Sequence, residues 1–324
     1  MKYKMLCCLA TASMAVLGSS TAGAQAGYPD HSIRVLVGQS PGSATDTVAR
    51  LITDKMSEEL KQSMVVENRP GAGGIVAAQS VAREKPDGYV IMMATASQTS
   101  LSLHLLEHPP YDPFKDFTYI APATDVAMIL LASPGSGIKD FASLLEMAKR
   151  NPGKITFGSS GVGSASQLSL EMVSELTGIK LLHVPYKGTN PAVTALMANE
   201  TDLHVNALGV ALPLIKAGKV VPIALLIDKR SALLPDVPAL SDLGLTMPRV
   251  PAWIGLIGPA GMPKDVVDRL ADALHNAQKS PEVQQRFTSL GYIPFEGDGA
   301  YFLDRSKNDS EVWGKLIKDR GIRP

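Results

Sequence analysis

Short apolar runs rich in β-branched residues alternate with helical patterns along most of the chain. The run 33–37 predicts a first strand, and the turn residues 40–42 follow it. Residues 43–46 have the spacing of a capping box, which predicts the start of a helix. After it, apolar side chains recur at helical intervals, at Val48, Leu51, Ile52, Met56 and Leu60. The predicted order is strand, tight polar loop, helix.

The same order recurs further along the chain. Strands are predicted at 65–66, 90–94, 155–157, 183–185, 203–205, 223–227 and 253–258. Helices are predicted near 75–85, from the loop at 158–164 to about 176, and two or three times between 264 and 319. Alternating strands and helices are typical of parallel sheets, so the sequence predicts the α/β class.

The loops after these strands are rich in glycine, serine and threonine. Glycine lets backbone N–H groups approach a ligand, and each following helix adds unpaired N–H groups and the positive end of its dipole. Such loops gather at the carboxyl ends of parallel strands. A single loop of this kind also occurs as an ordinary helix cap, but several in two successive regions predict a shared cleft for a carboxylate or phosphate.

Length and charge narrow the class of protein. A chain of 324 residues exceeds the size at which single cores stop growing, so two domains are expected. Lys plus Arg and Asp plus Glu both number 31, which leaves no basic excess for binding nucleic acid. The composition, 45% hydrophobic and 19% charged, is that of an ordered globular protein.

The first 26 residues have the order of a secretion signal. Lys2 and Lys4 precede an apolar run, and small residues then offer cleavage after Ala24 or Ala26. Both cysteines, Cys7 and Cys8, lie in this segment, so the mature chain would have no thiol for catalysis, disulfides or metal binding. No later apolar stretch is long enough to predict a membrane span.

The sequence lacks the common catalytic and metal-binding motifs. No nucleophile elbow, Walker loop or zinc-protease motif occurs. His104 and His108 stand four apart, but two prolines follow at once, which favours a solvated helix end over a metal site. His183 and His204 lie beside predicted strands and are expected to be packed and hydrogen-bonded. The sequence therefore predicts no catalytic residue, no metal and no cofactor.

For three further side chains, the sequence allows two roles each. Lys187 could pair with an anionic ligand or be solvated at a helix start, and the sequence does not separate these. Tyr186 and Trp253 could stack on a ligand, although aromatic residues at strand ends more often belong to the core.

Several segments closely resemble the Bug family, the TctC-like substrate-binding proteins of tripartite tricarboxylate transporters. The strongest is Glu67-Asn68-Arg69-Pro70-Gly71-Ala72-Gly73-Gly74, followed by Pro86-Asp87-Gly88-Tyr89. Further matches are 111–117, 183–188, 234–238 and 258–263. They run in order through the mature chain.

The resemblance implies a type II periplasmic binding protein fold, with two α/β domains, a hinge and a ligand cleft between them. The domains would be 27–125 and 228–324 together, and 126–227. Family ligands are mostly small carboxylates, held largely by backbone amides, hydroxyl groups and bridging waters.

The resemblance also implies a set of ligand-binding residues, one half from each domain. The first domain would supply Ser40, Gly42, Ser43, Ala44, Thr45, Thr95, Ala96, Ser97 and Gln98. The second would supply Ser159, Ser160, Gly163, Ser164, Tyr186, Lys187, Asn206 and Ala207. The chain departs from the family pattern in having Gln39 instead of an aromatic residue, Val162 instead of Asn, and Asn206 instead of Asp.

The function expected from this resemblance is a periplasmic receptor that delivers a small carboxylate to the membrane subunits of a tripartite tricarboxylate-type transporter, acting as a monomer. Two alternatives stay open at this stage. One is a sensory protein that binds a ligand and then a regulatory partner. The other is an exported hydrolase or lyase, for which the sequence nominates no base beside a nucleophile.

We expect export with loss of the first 24 or 26 residues, because positive charge, apolar core and small-residue exit occur in the order that secretion requires. The intact mass of protein recovered from the periplasm measures this. A chain that still begins at Met1 would contradict it.

Overall fold

A computed structural model describes residues 27–323, so the predicted signal peptide at 1–26 lies outside the described residues. The strands are β1 (Ile33–Val37), β2 (Met64–Asn68), β3 (Val90–Thr95), β4 (Phe117–Val126), β5 (Met128–Ala132), β6 (Thr156–Ser159), β7 (Leu182–Pro185), β8 (Leu203–Ala207), β9 (Val221–Leu225), β10 (Trp253–Pro259) and β11 (Tyr292–Pro294). The helices are α1 (Ala44–Leu60), α2 (Ile75–Val81), α3 (Ser102–Leu105), α4 (Phe141–Arg150), α5 (Ala165–Thr177), α6 (Thr189–Met197), α7 (Leu208–Lys216), α8 (Lys264–Lys279), α9 (Pro281–Leu290) and α10 (Gly299–Asp319).

The strands form two separate sheets. The first has six strands in the order β11-β4-β10-β3-β1-β2, and the second has five in the order β7-β6-β8-β5-β9. Within each sheet the βαβ strands are parallel, namely β1 to β3 in the first and β6 to β8 in the second. Strands β10 and β5 are antiparallel to their neighbours. Both sheets are therefore mixed, which confirms the predicted α/β class.

Helices cover the sheets as the apolar periodicity of the sequence requires. Along α1, Val48, Ile52 and Met56 are fully buried, and α8 packs beside this helix. Helix α10 packs against β4, and α5 packs against β8. The helices thus bury one apolar stripe each against a sheet and leave their polar faces to solvent. Within residues 27–323, no helix combines the length and apolar character that crossing a membrane requires.

All eight predicted strands are present, with ends within two residues of the prediction, but the longest strand was missed. Every residue of β4 except Thr118 is buried, so its sequence shows no alternation of apolar and polar positions. Strand β5 was missed for the same reason, because it is buried along its whole length. Helix α2 ends at Val81 rather than near residue 85, five residues before Pro86, whose ring prevents the helix from continuing.

The chain passes from the first sheet to the second between β4 and β5, where only Ala127 separates the two strands. It returns at β10. The expected second domain, 126–227, contains all five strands of the second sheet. The segment after it also packs there, because Val237 joins the same apolar cluster and Ala239 pairs with Leu225.

One buried polar side chain interrupts the core of the second sheet. His204 on β8 is fully buried, and its Nδ1 lies 2.9 Å from the carbonyl oxygen of Gly158 on β6. This agrees with the expectation of a packed, hydrogen-bonded histidine. Its Nε2 has no partner within the described residues. Burial lowers the pKa of His204 to about 4, because the charged imidazolium would lose its hydration.

We expect the free energy of unfolding to fall as the pH is lowered from about 6.5 towards 4. An unfolded histidine has a pKa of about 6.5, so in this window the unfolded chain binds a proton that folded His204 does not. The contribution of His204 should be about 2 kcal/mol between pH 7.5 and pH 5. Urea unfolding of wild type and of His204→Gln at these two pH values measures it.

The glutamine keeps a hydrogen-bond donor but cannot titrate, so the variant should lose less stability on acidification than wild type. The difference between the two proteins at pH 7.5 is the control, because the histidine is almost entirely neutral there in both the folded and the unfolded chain, so that difference reports the substitution alone. Equal losses in wild type and His204→Gln would show that His204 does not resist protonation.

Candidate functional site

The loops predicted to bind the ligand all lie at the edges of the sheets that face each other. In the first sheet, the parallel strands β1 to β3 end at the edge where Thr95 pairs with Ile254. Strand β10 begins at this edge and β4 ends there, because Trp253 pairs with Asp125. The loops after β1, β2 and β3 therefore surround the point at which the chain leaves for the second sheet.

The second sheet has the same arrangement on the other side of the crossing. Strand β5 begins at Met128, which pairs with Ala207 at the end of β8. Strands β6 and β7 run parallel to β8 and end at the same edge. The carboxyl ends of both parallel sets thus meet across the crossing at Ala127. This brings the two predicted halves of the site together.

In the first loop, α1 begins with a defined cap. Ser43 is the N-cap, and its Oγ accepts a hydrogen bond from the N–H of Asp46 at 3.2 Å. The carboxylate of Asp46 in turn accepts the N–H of Gly42 at 2.9 Å, with Gly42 at a positive φ of 78°. The N–H groups of Ala44 and Thr45, the first two of the helix, have no acceptor within the helix and remain available to a ligand.

Asp46 also connects this loop to the end of β2. The Nδ2 of Asn68 donates to Asp46 Oδ1 at 2.9 Å and to the carbonyl oxygen of Gln39 at 3.0 Å. Arg50, one turn along α1, donates to the same carboxylate from Nε at 3.1 Å. Burial alone would raise the pKa of Asp46, but the hydrogen bonds from Arg50, Gly42 and Asn68 outweigh it and hold that pKa below its usual range.

The second half of the site repeats this cap. Ser164 is the N-cap of α5, and its Oγ accepts the N–H of Gln167 at 3.4 Å. The side-chain oxygen of Gln167 accepts the N–H of Gly163 at 2.7 Å, and Gly163 has a φ of 73°. The N–H groups of Ala165 and Ser166 have no acceptor within the helix.

The two loops have nearly the same sequence, Gly42-Ser43-Ala44-Thr45-Asp46 and Gly163-Ser164-Ala165-Ser166-Gln167. Sequence reasoning found the cap at residues 43–46 and a helix after the loop 158–164, but it missed this repeat and did not nominate Ala165 and Ser166. The signal was present as two five-residue segments 121 positions apart. We name the two helix starts the first cradle (residues 42–46) and the second cradle (residues 163–167).

The loop after β3 is placed differently from the expectation for Gln98. This side chain is fully buried: its Oε1 accepts from the N–H and the hydroxyl group of Thr95 at 2.7 and 2.9 Å, and its Nε2 donates to the carbonyl oxygen of Gly73. Gln98 therefore fastens the loops after β2 and β3 to each other and does not face the cleft. Ala96 is buried beside it, and Ser97 is half-buried in a π-helical turn (Ser97–Leu101).

The loop after β6 is tied to β7. Ser159 Oγ lies 2.6 Å from Nε2 of His183, and the N–H of Ser160 donates to Ser166 Oγ at 3.0 Å. Burial lowers the pKa of His183 to about 4, so the imidazole is neutral near neutral pH. His183 is a packed, hydrogen-bonded histidine, as expected.

The two aromatic candidates, Trp253 and Tyr186, have different environments in the structure. Trp253 is fully buried, and its Nε1 donates to Asp309 at 2.7 Å, so it belongs to the core and not to a stacking face. The ring of Tyr186 is half-buried over Gly158, where an added Cβ would lie 3.3 Å from the ring. Lys187, next to it, is exposed.

At the end of β8, Asn206 presents one unused donor. The residue is 3% exposed, and its Oδ1 accepts the N–H of Ala207 at 2.8 Å. Its Nδ2 has no hydrogen-bond partner within the described residues. A buried N–H group without an acceptor is costly, so this atom is suited to an acceptor that arrives from outside the protein.

The two halves of the site also touch directly. Leu105, at the end of α3, fills the space beside Gly163, where any side chain would overlap it. At the C-terminal end of α10, Arg320 forms an ion pair with Glu175 of α5 at 3.0 Å. Sequence reasoning missed these contacts because they join residues more than 50 positions apart. Within residues 27–323, no cluster of three or more His, Cys, Asp or Glu side chains could hold a metal ion.

Comparison with known proteins agrees with this geometry. Residues 48–322 match the tripartite tricarboxylate transporter family receptor. The periplasmic binding protein BugD is 33% identical with a TM-score of 0.84, covering 92% of this chain and 100% of that chain. An R. palustris protein solved with adipate is 28% identical with a TM-score of 0.85 and the same coverage.

MatC from Rhodopseudomonas palustris, solved with bound malate, is 29% identical with a TM-score of 0.80, covering 90% of this chain and 100% of that chain. The family and these structural relatives are solute-binding receptors rather than enzymes. The chain has their periplasmic-binding-protein fold and belongs to the tripartite tricarboxylate transporter receptor family, the Bug or TctC-like solute-binding proteins.

Proposed function

We propose that this protein is a periplasmic receptor that binds a small carboxylate between its two sheets and presents it to the membrane subunits of a tripartite tricarboxylate-type transporter. The observation that carries the proposal is the pair of matching cradles, one from each sheet, which follow the carboxyl ends of the two parallel sets of strands on either side of the crossing. Helix starts of this kind favour anions through their unpaired N–H groups and dipoles. The relatives solved with adipate and malate support a carboxylate ligand.

In this proposal the backbone makes most of the ligand contacts. The amides of Ala44 and Thr45 would hold the ligand from the first cradle, and those of Ala165 and Ser166 from the second. Side chains expected at the site, among them Ser40, Ser97, Ser160 and Lys187, would complete it as the two sheets close on the ligand by a hinge motion. Gln98 and Gly42 would support the loops from behind.

A pair of proline substitutions tests the cradles. Ala44 and Ala165 are the first residues of α1 and α5, a position where proline fits a helix and removes only the free N–H. The preceding residues, Ser43 and Ser164, have ψ angles of 164° and 157°, which proline permits. Ala44→Pro and Ala165→Pro should therefore keep the fold and each weaken carboxylate binding about tenfold or more, since each removes a hydrogen bond to a charged group.

The measurement is a thermal-shift screen of small carboxylates, including succinate, malate and adipate, followed by calorimetry. A ligand at 100 times its dissociation constant should add about 2.7 kcal/mol to wild-type stability and be recovered chemically unchanged. Lys264→Pro is the control, because α8 starts at the far edge of the first sheet, after β10 has run away from the cleft. Wild-type affinity in both Ala44→Pro and Ala165→Pro would contradict the proposed role of the cradles.

A second prediction concerns which carboxylate is bound. The free Nδ2 of Asn206 can donate to a hydroxyl, carbonyl or carboxylate oxygen, but it offers no charge to an ammonium group. We expect succinate to bind wild type more tightly than aspartate. Asn206→Asp keeps an acceptor for the Ala207 N–H and adds a carboxylate, so it should shift the preference towards aspartate by about tenfold or more.

Calorimetry with the matched pair succinate and aspartate, on wild type and Asn206→Asp, measures this preference. Tighter wild-type binding of aspartate, or an unchanged preference in the variant, would show that Asn206 does not select the ligand.

A further inference from the structure

The first cradle has a side chain of the wrong charge for an anion. Asp46 is the third residue of α1, is 4% exposed, and lies next to the free amides of Ala44 and Thr45. The corresponding residue of the second cradle is Gln167, which makes the same bond to the preceding glycine without a charge. An unmasked carboxylate at this place would repel a bound anion and compete for the helix dipole.

Arg50 lies where it can neutralise that charge. Its Nε donates to both oxygens of Asp46 at 3.1 Å, and its Nη2 lies 3.0 Å from Asp46 Oδ1. The same Nη2 donates to Asn68 Oδ1 at 3.0 Å, which holds the guanidinium against the loop. The Arg50 side chain is 54% exposed, so its substitution leaves no cavity in the core.

We propose that Asp46 shapes the first cradle by holding the Gly42 amide, and that Arg50 masks the charge of Asp46 so that the cradle can accept a carboxylate. This deepens the proposed function and rests on it. Arg50 is then a positioning and charge-masking residue that need not touch the ligand.

Two other roles for Arg50 give different results. If Arg50 only supports α1 through an ordinary i,i+4 ion pair, its removal should lower stability slightly and leave ligand affinity unchanged. If Arg50 binds the ligand directly, its removal should weaken binding whether or not Asp46 is charged. Only charge masking predicts that removing the charge of Asp46 restores the affinity that is lost when the charge of Arg50 is removed.

The test is a double-mutant cycle with succinate as the probe, and with malate and adipate as second probes. Arg50→Gln should weaken succinate binding about five- to tenfold at low salt, and less at high salt, because it exposes a negative charge beside the ligand. Arg50→Lys should keep most of the affinity. The double variant Asp46→Asn, Arg50→Gln should recover most of what Arg50→Gln loses, because the asparagine retains one oxygen for the Gly42 N–H.

Arg269→Gln is the matched control. Arg269 pairs with Glu59 at 3.0 Å near the other end of α1, so its removal changes the net charge equally but far from the cradle. It should leave succinate affinity unchanged. Amide hydrogen exchange at Gly42 adds a readout without ligand: protection should persist in Arg50→Gln and be lost in Asp46→Ala.

The outcomes distinguish the two proposals. Wild-type protein that binds none of the three acids contradicts the proposed function, and the masking role falls with it. Wild-type affinity in Arg50→Gln overturns the masking role alone. A loss in Arg50→Gln that the double variant does not reverse, or that salt does not reduce, also overturns masking.

Discussion

The crossing at Ala127 is the constraint on which the rest of the structure depends. Val126 ends β4 in the first sheet and Met128 begins β5 in the second, so one residue fixes which edges of the sheets meet. The N–H of Ala127 donates to the carbonyl oxygen of Gly291 at 3.3 Å, and the carbonyl oxygen of Ala127 accepts the N–H of Leu208 at 2.8 Å. Since both parallel sets of strands, β1 to β3 and β6 to β8, end at the edges that the crossing joins, the loops that follow these six strands lie on the side of the gap. The cleft follows from strand direction before any side chain is considered.

Buried charges hold the crossing segments together at the edge of the first sheet. Asp125, two residues before the crossing, pairs at 2.8 Å with Arg249 of the returning segment. Behind them, Asp309 accepts hydrogen bonds from Arg305 at 3.0 Å and from the Trp253 indole at 2.7 Å. Burial raises the pKa values of both carboxyl groups even though the arginines oppose the rise, which shows how strongly desolvation disfavours these charges. Each buried charge is tolerated because a partner of opposite sign lies beside it. Removing one partner would leave the other charge buried and unpaired.

What the sequence could predict was local. Strand β1, the cap at Ser43 and helix α1 are each specified by neighbouring residues, so pattern and spacing found them. Strands β4 and β5 escaped because burial on both faces removes the alternation that marks a strand. The same holds for the site: the cap at Ser43 and the helix after the loop 158–164 could be predicted, but the burial of Gln98 depends on the carbonyl oxygen of Gly73, 25 positions away. Contacts over such distances are set by the packing of loops, and spacing along the chain gives no signal of them.

Under the proposed function, the separation of the capping side chains from the free amides would let one fold bind many carboxylates. In each cradle the residues that hold the loop, Ser43 with Asp46 and Ser164 with Gln167, bond to the backbone and leave the next two N–H groups free. The donors are then fixed by helix geometry and do not change when neighbouring side chains are substituted. In the proposed function, selectivity would come from groups at the strand ends, and Asn206 is such a group, since its buried Nδ2 has no hydrogen-bond partner among residues 27–323. Under the proposed function, a substitution there would alter which second group of a ligand is accepted, while the cradles would stay as the backbone has placed them.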